Sequence, residues 1–163
     1  DILARAVLPL LSSDTQPMVH DSLAHLGANL LIQVLSDLPS HLEKAKAQPK
    51  EGVTYAHKLK KEEGKIDWTQ SASQIVRKIN AFTPWPGSFC EWQGQVLKIG
   101  SATLRRQECS APSGQVIELT SEGYWVATGD GIVCLQQLQR SGGKMLSAQA
   151  FQQGCDLIGQ QLL

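Results

Sequence analysis

Apolar positions in the first forty residues follow the periods of regular secondary structure. Residues 2–8 are mostly apolar and end at Pro9, which predicts a buried strand. Thr15 and Pro17 then carry the signals of a helix start, and Pro39 carries those of its end. Between them apolar side chains recur every three or four positions: Leu23, Leu26, Leu30, Val34 and Leu38. The pattern predicts a strand followed by an amphipathic helix, which together form the end of an α/β layer.

From about residue 70 the pattern changes to short apolar runs separated by turn residues. Ser71 is placed to cap a short helix, which the sequence T-P-W-P-G at residues 83–87 stops. Ser147 is placed to cap a last short helix. Five strand-like runs lie between the two helices, near residues 88–93, 96–104, 114–119, 124–127 and 132–138. This pattern predicts a mainly β domain with flanking short helices, closed into a barrel like the oligonucleotide/oligosaccharide-binding (OB) fold.

Composition and charge exclude some classes of protein and leave others open. The chain has 163 residues, of which 42% are hydrophobic, so it can bury a core and is not disordered throughout. No apolar stretch approaches the roughly 20 residues of a membrane span, so we expect no membrane partner. The 15 basic and 15 acidic side chains cancel, yet residues 44–78 alone carry nine basic and four acidic ones. Such a segment is either a solvated linker or a contact surface for a polyanion, and charge alone does not decide.

The four cysteines do not resemble a metal site or a disulfide scaffold. Cys90, Cys109, Cys134 and Cys155 are about twenty residues apart, whereas zinc ligands usually come in close pairs. We therefore expect no metal, and we interpret the cysteines as reduced, half-buried thiols of a cytoplasmic protein.

The sequence shows no complete catalytic site. Its four histidines lie in the first helix and the basic segment, away from a matching nucleophile. The sequence Gly129-Asp130-Gly131 joins two predicted strands, so we interpret it as a tight turn and not as a phosphate-binding loop. The chain is thus either a binding module or part of an enzyme whose catalytic residues lie elsewhere.

Three stretches together resemble one family, methionyl-tRNA formyltransferase. They are K-L-K-K-E-E-G-K-I-D-W within residues 55–68, R-K-I-N-A-F-T-P-W-P-G at residues 77–87, and V-A-T-G-D-G at residues 126–131 with residues 142–151 beyond. Their order and spacing match over roughly residues 53–155. Two positions depart from the family pattern: Gly142-Gly143-Lys144 has one basic residue fewer, and Ala150 replaces an acidic residue.

The resemblance implies a two-domain enzyme that transfers a formyl group from 10-formyltetrahydrofolate to the methionyl amino group of initiator methionyl-tRNA. In such an enzyme the catalytic residues lie in an N-terminal Rossmann-like domain, and we expect them upstream of Asp1. This chain alone should then be inactive and should bind no folate. The implied organisation is the end of the catalytic domain at residues 1–38, a basic linker at 39–67, and an OB-like tRNA-binding domain at 68–163.

The resemblance also implies a role for the basic segment. The expected tRNA-binding residues are Lys58, Lys60, Lys61 and Lys65. We expect the aromatic residues Trp68, Phe82 and Trp85 to pack in the core or between domains, and not to stack on nucleotides, because apolar residues and prolines flank them. The predicted partner is initiator methionyl-tRNA, without DNA, and the predicted state is a monomer.

Two other hypotheses remain open at this point. The chain could belong to a related folate-dependent formyltransferase of small molecules, or to a formyltetrahydrofolate hydrolase, in which case the lysines form a linker only. It could also be a non-enzymatic OB-like binding module, a reading that the apparently severed strand at residues 2–8 disfavours.

Overall fold

The computed structural model describes residues 1–107 and 109–163. The chain forms two compact units, Asp1–Lys58 and Leu59–Leu163, which are described separately.

The first unit contains two helices, α1 (Gln16–Ser36) and α2 (Leu38–Glu43). The predicted long helix is confirmed, with Thr15 at its N-cap and a proline in its first turn. Pro39 does not end it, however. The helix already stops at Ser36, and Pro39 lies in the first turn of α2, where its missing N–H is not needed.

The strand predicted at residues 2–8 is wrong. Within this stretch, the one β-bridge is that of Ile2, through hydrogen bonds of 2.7 Å and 3.1 Å with the backbone of Lys46. Leu3 O lies 3.3 Å from Nδ1 of His41. Val7 is 88% exposed. An apolar run becomes a strand only where neighbouring strands satisfy its backbone, and the first unit offers no such neighbours among its described residues. The α/β remnant is therefore a helical unit here.

The second unit contains a sheet with helices on its flanks. The predicted helices capped by Ser71 and Ser147 and the five predicted strands are all present, together with a short 3₁₀ turn and a sixth strand of two residues. The elements in chain order are the 3₁₀ turn (Lys61–Gly64), α3 (Ala72–Phe82), β1 (Ser88–Trp92), β2 (Gln95–Arg105), β3 (Val116–Leu119), β4 (Tyr124–Ala127), β5 (Ile132–Arg140), β6 (Leu146–Ser147) and α4 (Ala148–Gln152).

The sheet is antiparallel and does not close into the predicted barrel. Its strand order is β1-β2-β5-β4-β3, with β6 paired to β5. The edge strands β1 and β3 do not pair with each other, because the end of the chain occupies both edges. Glu91 and Leu163 exchange hydrogen bonds of 2.7 Å and 2.9 Å, and Leu162 N donates to Gly114 O at 2.9 Å. The chain end thus forms hydrogen bonds with backbone N–H and C=O groups at the two sheet edges. In a closed barrel, the two edge strands would pair these groups with each other.

A single core lies between α3, α4 and the inner face of the sheet. Ser71 and Gln74 form a capping box that starts α3, and the helix buries an apolar face against the sheet. The least exposed large side chains of this core are Tyr124, Ile75, Ile79, Leu97, Leu135, Leu138 and Leu157. This core holds the outer face of β1, β2 and β5 in place.

Two glycines permit close contacts between backbone segments that are distant in sequence. A Cβ atom on Gly64 would overlap the carbonyl oxygen of Gly87, and one on Gly129 would overlap the carbonyl oxygen of Thr69. Gly129 N donates to Trp68 O at 2.9 Å in the same contact. The stretches that carry the family resemblance thus touch one another, and the predicted tight turn at residues 129–131 is confirmed as the loop between β4 and β5.

Gly64→Ala and Gly129→Ala should each destabilise the second unit, because the added methyl group must displace backbone. We expect a loss of about 1–3 kcal/mol in the free energy of unfolding, measured by urea denaturation. Gly154→Ala is the matched control, since nothing lies within 4 Å of its Cβ position. Equal stability of all three variants would contradict these contacts.

The cysteines should react with a thiol reagent in two classes. Burial raises the pKa of the Cys90 thiol to about 12 and also raises the pKa of Cys134. Both side chains are fully buried, whereas Cys109 and Cys155 are partly exposed. In the native protein we expect Cys109 and Cys155 to be modified first, and Cys90 and Cys134 only on unfolding, as mass spectrometry after timed labelling would show. Rapid modification of Cys90 would contradict the described core.

Candidate nucleic-acid interface

Three of the four predicted tRNA-binding lysines are exposed and free of ion pairs. Lys58 is the last residue of the first unit, and Lys60 and Lys61 follow Leu59, the first residue of the second. None of these three ammonium groups has an acidic partner among the described residues. Their charge is therefore available to a ligand. That they contact tRNA stays a prediction.

Lys65 occupies a different environment from the other three. Its Nζ lies 2.7 Å from Glu91 Oε1, and each side chain is a little under half exposed. Its backbone carbonyl accepts a hydrogen bond from Lys78 Nζ at 2.8 Å. The next residue, Ile66, donates its N–H to Phe89 O at 2.7 Å. Lys65 therefore fastens the basic segment to β1, and part of its charge is already neutralised.

The 3₁₀ turn fixes the position of Lys61. Lys60 N donates to Glu63 Oε1 at 2.7 Å, so this carboxylate satisfies a backbone group at the start of the turn. Gly64, at its end, is buried against Gly87. Lys61 lies between these two fixed points and stands at the wall of a groove.

This groove, here called the sheet groove, lies over the outer face of β1, β2 and β5. Its volume is about 610 Å³, and none of the described residues that line it is acidic. Phe89 is paired with Lys98 on the neighbouring strand, and Lys98 is paired with Gln139 on the next. An aromatic ring, a cation and an amide therefore stand side by side in one row across three strands.

The walls and floor of the sheet groove come from loops as well as strands. Pro84, Pro86 and Gly87 line it from the loop after α3, and Met145 lines it from the loop after β5. A Cβ on Gly100 would lie 2.8 Å from the sulfur of Met145, so the glycine leaves room for this side chain. Met145 itself is 40% exposed. Part of the groove surface is consequently apolar and open to a ligand.

The three aromatic residues lie in different environments. Trp68 is buried in the core, and Phe82 is partly buried with Lys78 Nζ 5.7 Å from its ring centre. Trp85 is 57% exposed, so it is not a core residue of this unit, and packing against another domain stays a prediction for it. The flanking prolines line the sheet groove and leave the ring between them outside the core. Prolines fix the path of the chain, and this path carries Trp85 to the surface.

Asp67 has a local structural role. Its carboxylate accepts hydrogen bonds from the hydroxyl of Thr69 at 2.6 Å and from Thr69 N at 3.0 Å. These bonds lower the pKa of Asp67 below its ordinary value. The aspartate shapes the turn that leads to Ser71, and Ser71 is the residue that caps α3.

Apart from Lys61, sequence reasoning missed the residues of the sheet groove. Lys98 lies between the buried residues Leu97 and Ile99, an alternation that places it on the outer face of a strand. The sequence therefore contained a signal for its orientation. The sequence contained no signal that Lys98 stands in a row with Phe89 and Gln139. The register of three strands brings these residues together from distant parts of the chain.

Comparison with known proteins identifies the fold. Residues 58–156 match the family described as formyl transferase, C-terminal domain. The chain belongs to this family. The match includes the 3₁₀ turn, the whole sheet and both helices of the second unit.

Solved structures of HypX from Aquifex aeolicus have a similar fold. One HypX variant is 18% identical, with a TM-score of 0.63 over 90% of this chain and 28% of that chain. A second variant is 19% identical, with a TM-score of 0.61 over 90% and 27%. HypX in complex with tetrahydrofolic acid is 21% identical, with a TM-score of 0.51 over 73% and 22%. This chain thus spans about a quarter of the length of these relatives.

The described residues contain no group of three or more His, Cys, Asp or Glu side chains that could hold a metal ion. Among the described helices, none combines the length and the apolar character that crossing a bilayer requires.

The exposure of Trp85 can be tested by fluorescence. Trp68 and Trp92 are buried and Trp125 is partly buried, so we expect acrylamide to quench Trp85 most strongly. Trp85→Phe should remove most of the quenchable emission, whereas Trp68→Phe should leave it in place. The prediction fails if Trp85→Phe leaves the Stern–Volmer slope unchanged.

Proposed function

We propose that this chain is the tRNA-binding C-terminal part of a methionyl-tRNA formyltransferase. The intact enzyme would transfer a formyl group from 10-formyltetrahydrofolate to the amino group of methionine on initiator methionyl-tRNA. One observation carries the proposal. In this formyl transferase C-terminal domain, a segment of exposed lysines leads into a groove whose described lining contains no acidic residue. Lys61 stands at the wall of this groove and Lys98 on its floor.

Phosphate recognition explains why lysines suit this segment. A tRNA arm is a rod of phosphates with a condensed counterion layer, and each ammonium group that approaches it releases a cation to solution. Lys58, Lys60 and Lys61 meet this requirement because no acidic side chain among the described residues neutralises them. Flexible lysines tolerate the shape of an RNA helix without reading its bases. Lys65 contributes mainly by holding the segment against β1.

Formyl transfer itself is assigned to residues outside this chain. We assign no folate contact to the described residues, and we expect the isolated chain to be inactive. We expect the intact enzyme to act in the cytoplasm and as a monomer.

A second candidate is a related formyltransferase or hydrolase that acts on a small molecule. The observation in its favour is the likeness in fold to HypX, of which one structure contains tetrahydrofolic acid. In such a protein the exposed lysines would be a solvated linker, and tRNA would not bind at low salt.

The experiment measures binding of initiator tRNA to the chain at about 50 mM and about 200 mM salt. We expect affinity to fall steeply with salt. Lys58→Gln/Lys60→Gln/Lys61→Gln should weaken binding roughly tenfold and reduce the salt slope by about two to three, since three phosphate contacts are lost.

The matched control removes the same charge from the neighbouring stretch: Lys44→Gln/Lys46→Gln/Lys50→Gln. It should weaken binding much less. Equal losses in the two triple variants would show that only total charge matters. Absence of tRNA binding at low salt would overturn the proposed function.

A further inference from the structure

We propose that the sheet groove binds an unpaired stretch of RNA, with a base on the surface of Phe89 and Met145 and phosphates held by Lys61 and Lys98. This inference deepens the proposed function and rests on it, because RNA is the partner in both. It adds a second kind of contact, to a base, beside the phosphate contacts of the exposed lysines.

The apolar part of the groove offers a surface for a flat ring. Phe89 is partly buried, Val96 is 43% exposed and Met145 is 40% exposed, and all three line the same groove. Stacking on an aromatic ring contributes to single-strand binding with little dependence on base identity, since every base has a π face. The volume of about 610 Å³ lies in the range of small-ligand sites.

The charged part of the groove fits a phosphodiester backbone. Lys98 is exposed on β2 beside Phe89, and Lys61 lines the same groove from the 3₁₀ turn. With no acidic side chain among the described lining residues, both ammonium groups attract an anion. An aromatic ring next to a lysine is the combination that single-stranded nucleic acids require.

A polar group with spare hydrogen-bonding capacity also stands in the groove. Gln139 Nε2 donates to Gly143 O at 2.7 Å, which fixes the amide and leaves its oxygen as an acceptor. This oxygen is available to a donor on a bound ligand.

The backbone around the groove does not favour an extended peptide. Peptides that add to a sheet need an open strand edge, but β2 and β5 are interior strands. The edge of β1 already exchanges two hydrogen bonds with the chain end, between Glu91 and Leu163. A ligand must therefore bind through side chains, as a stacked base and its phosphates do.

The test is fluorescence anisotropy of a labelled single-stranded RNA about six nucleotides long. A blunt-ended RNA duplex of two complementary strands serves as the duplex probe. Phe89→Leu should weaken binding of the single strand about tenfold through lost stacking, and leave duplex binding unchanged. Lys98→Gln should weaken single-strand binding and reduce its salt slope by about 0.7.

Arg106→Gln is the matched control, since it removes one positive charge from a residue outside the groove lining. It should reduce binding of both probes equally. Because Lys98 is exposed, Lys98→Gln keeps the test valid if Phe89→Leu fails to fold. Single-strand affinity that responds no more to Phe89→Leu and Lys98→Gln than to Arg106→Gln would overturn the groove proposal. If tRNA binding still required Lys58, Lys60 and Lys61, the proposed function would stand without it.

Discussion

Close packing of backbone on backbone determines how the second unit is assembled. Gly64 meets the carbonyl of Gly87, and Gly129 meets the carbonyl of Thr69, at distances that no Cβ atom could tolerate. Ala72 N adds a hydrogen bond of 2.8 Å to Asp130 O in the second contact. The segment that follows the exposed lysines is thereby fixed at two points, to the loop before β1 and to the turn before β5. Together with the hydrogen bond from Ile66 N to Phe89 O, these contacts place Lys61 and the prolines after α3 at the groove.

The charge distribution becomes informative only when combined with this geometry. The chain has no net charge, and several of its cations serve the fold. Lys65 pairs with Glu91, Lys78 donates to a backbone carbonyl, and Arg105 pairs with Glu122. The lysines left without acidic partners in the described chain include Lys61 and Lys98, which share one groove. A surface that attracts anions can therefore exist on a protein whose overall charge predicts none.

Local signals in the sequence predicted the local structure well. The serine caps of α3 and α4, the long helix α1 and the five strands follow from residue preferences and periodicity over a few positions. The predictions that were wrong depend on contacts between residues far apart in the sequence. Residues 2–8 lack strand partners in their unit, and the chain end occupies the sheet edges that a closed barrel would join. The row of Phe89, Lys98 and Gln139 depends on strand register, which no local pattern contains.

The proposed function and the groove proposal both require RNA to lie along the exposed lysines and over the outer face of β1 and β2. Ultraviolet cross-linking of initiator tRNA containing 4-thiouridine to the chain, with the linked peptides identified by mass spectrometry, measures this placement. We expect cross-links within residues 58–65 and 85–100. Cross-links confined to β3 and β4, at the opposite edge of the sheet, would rule the placement out.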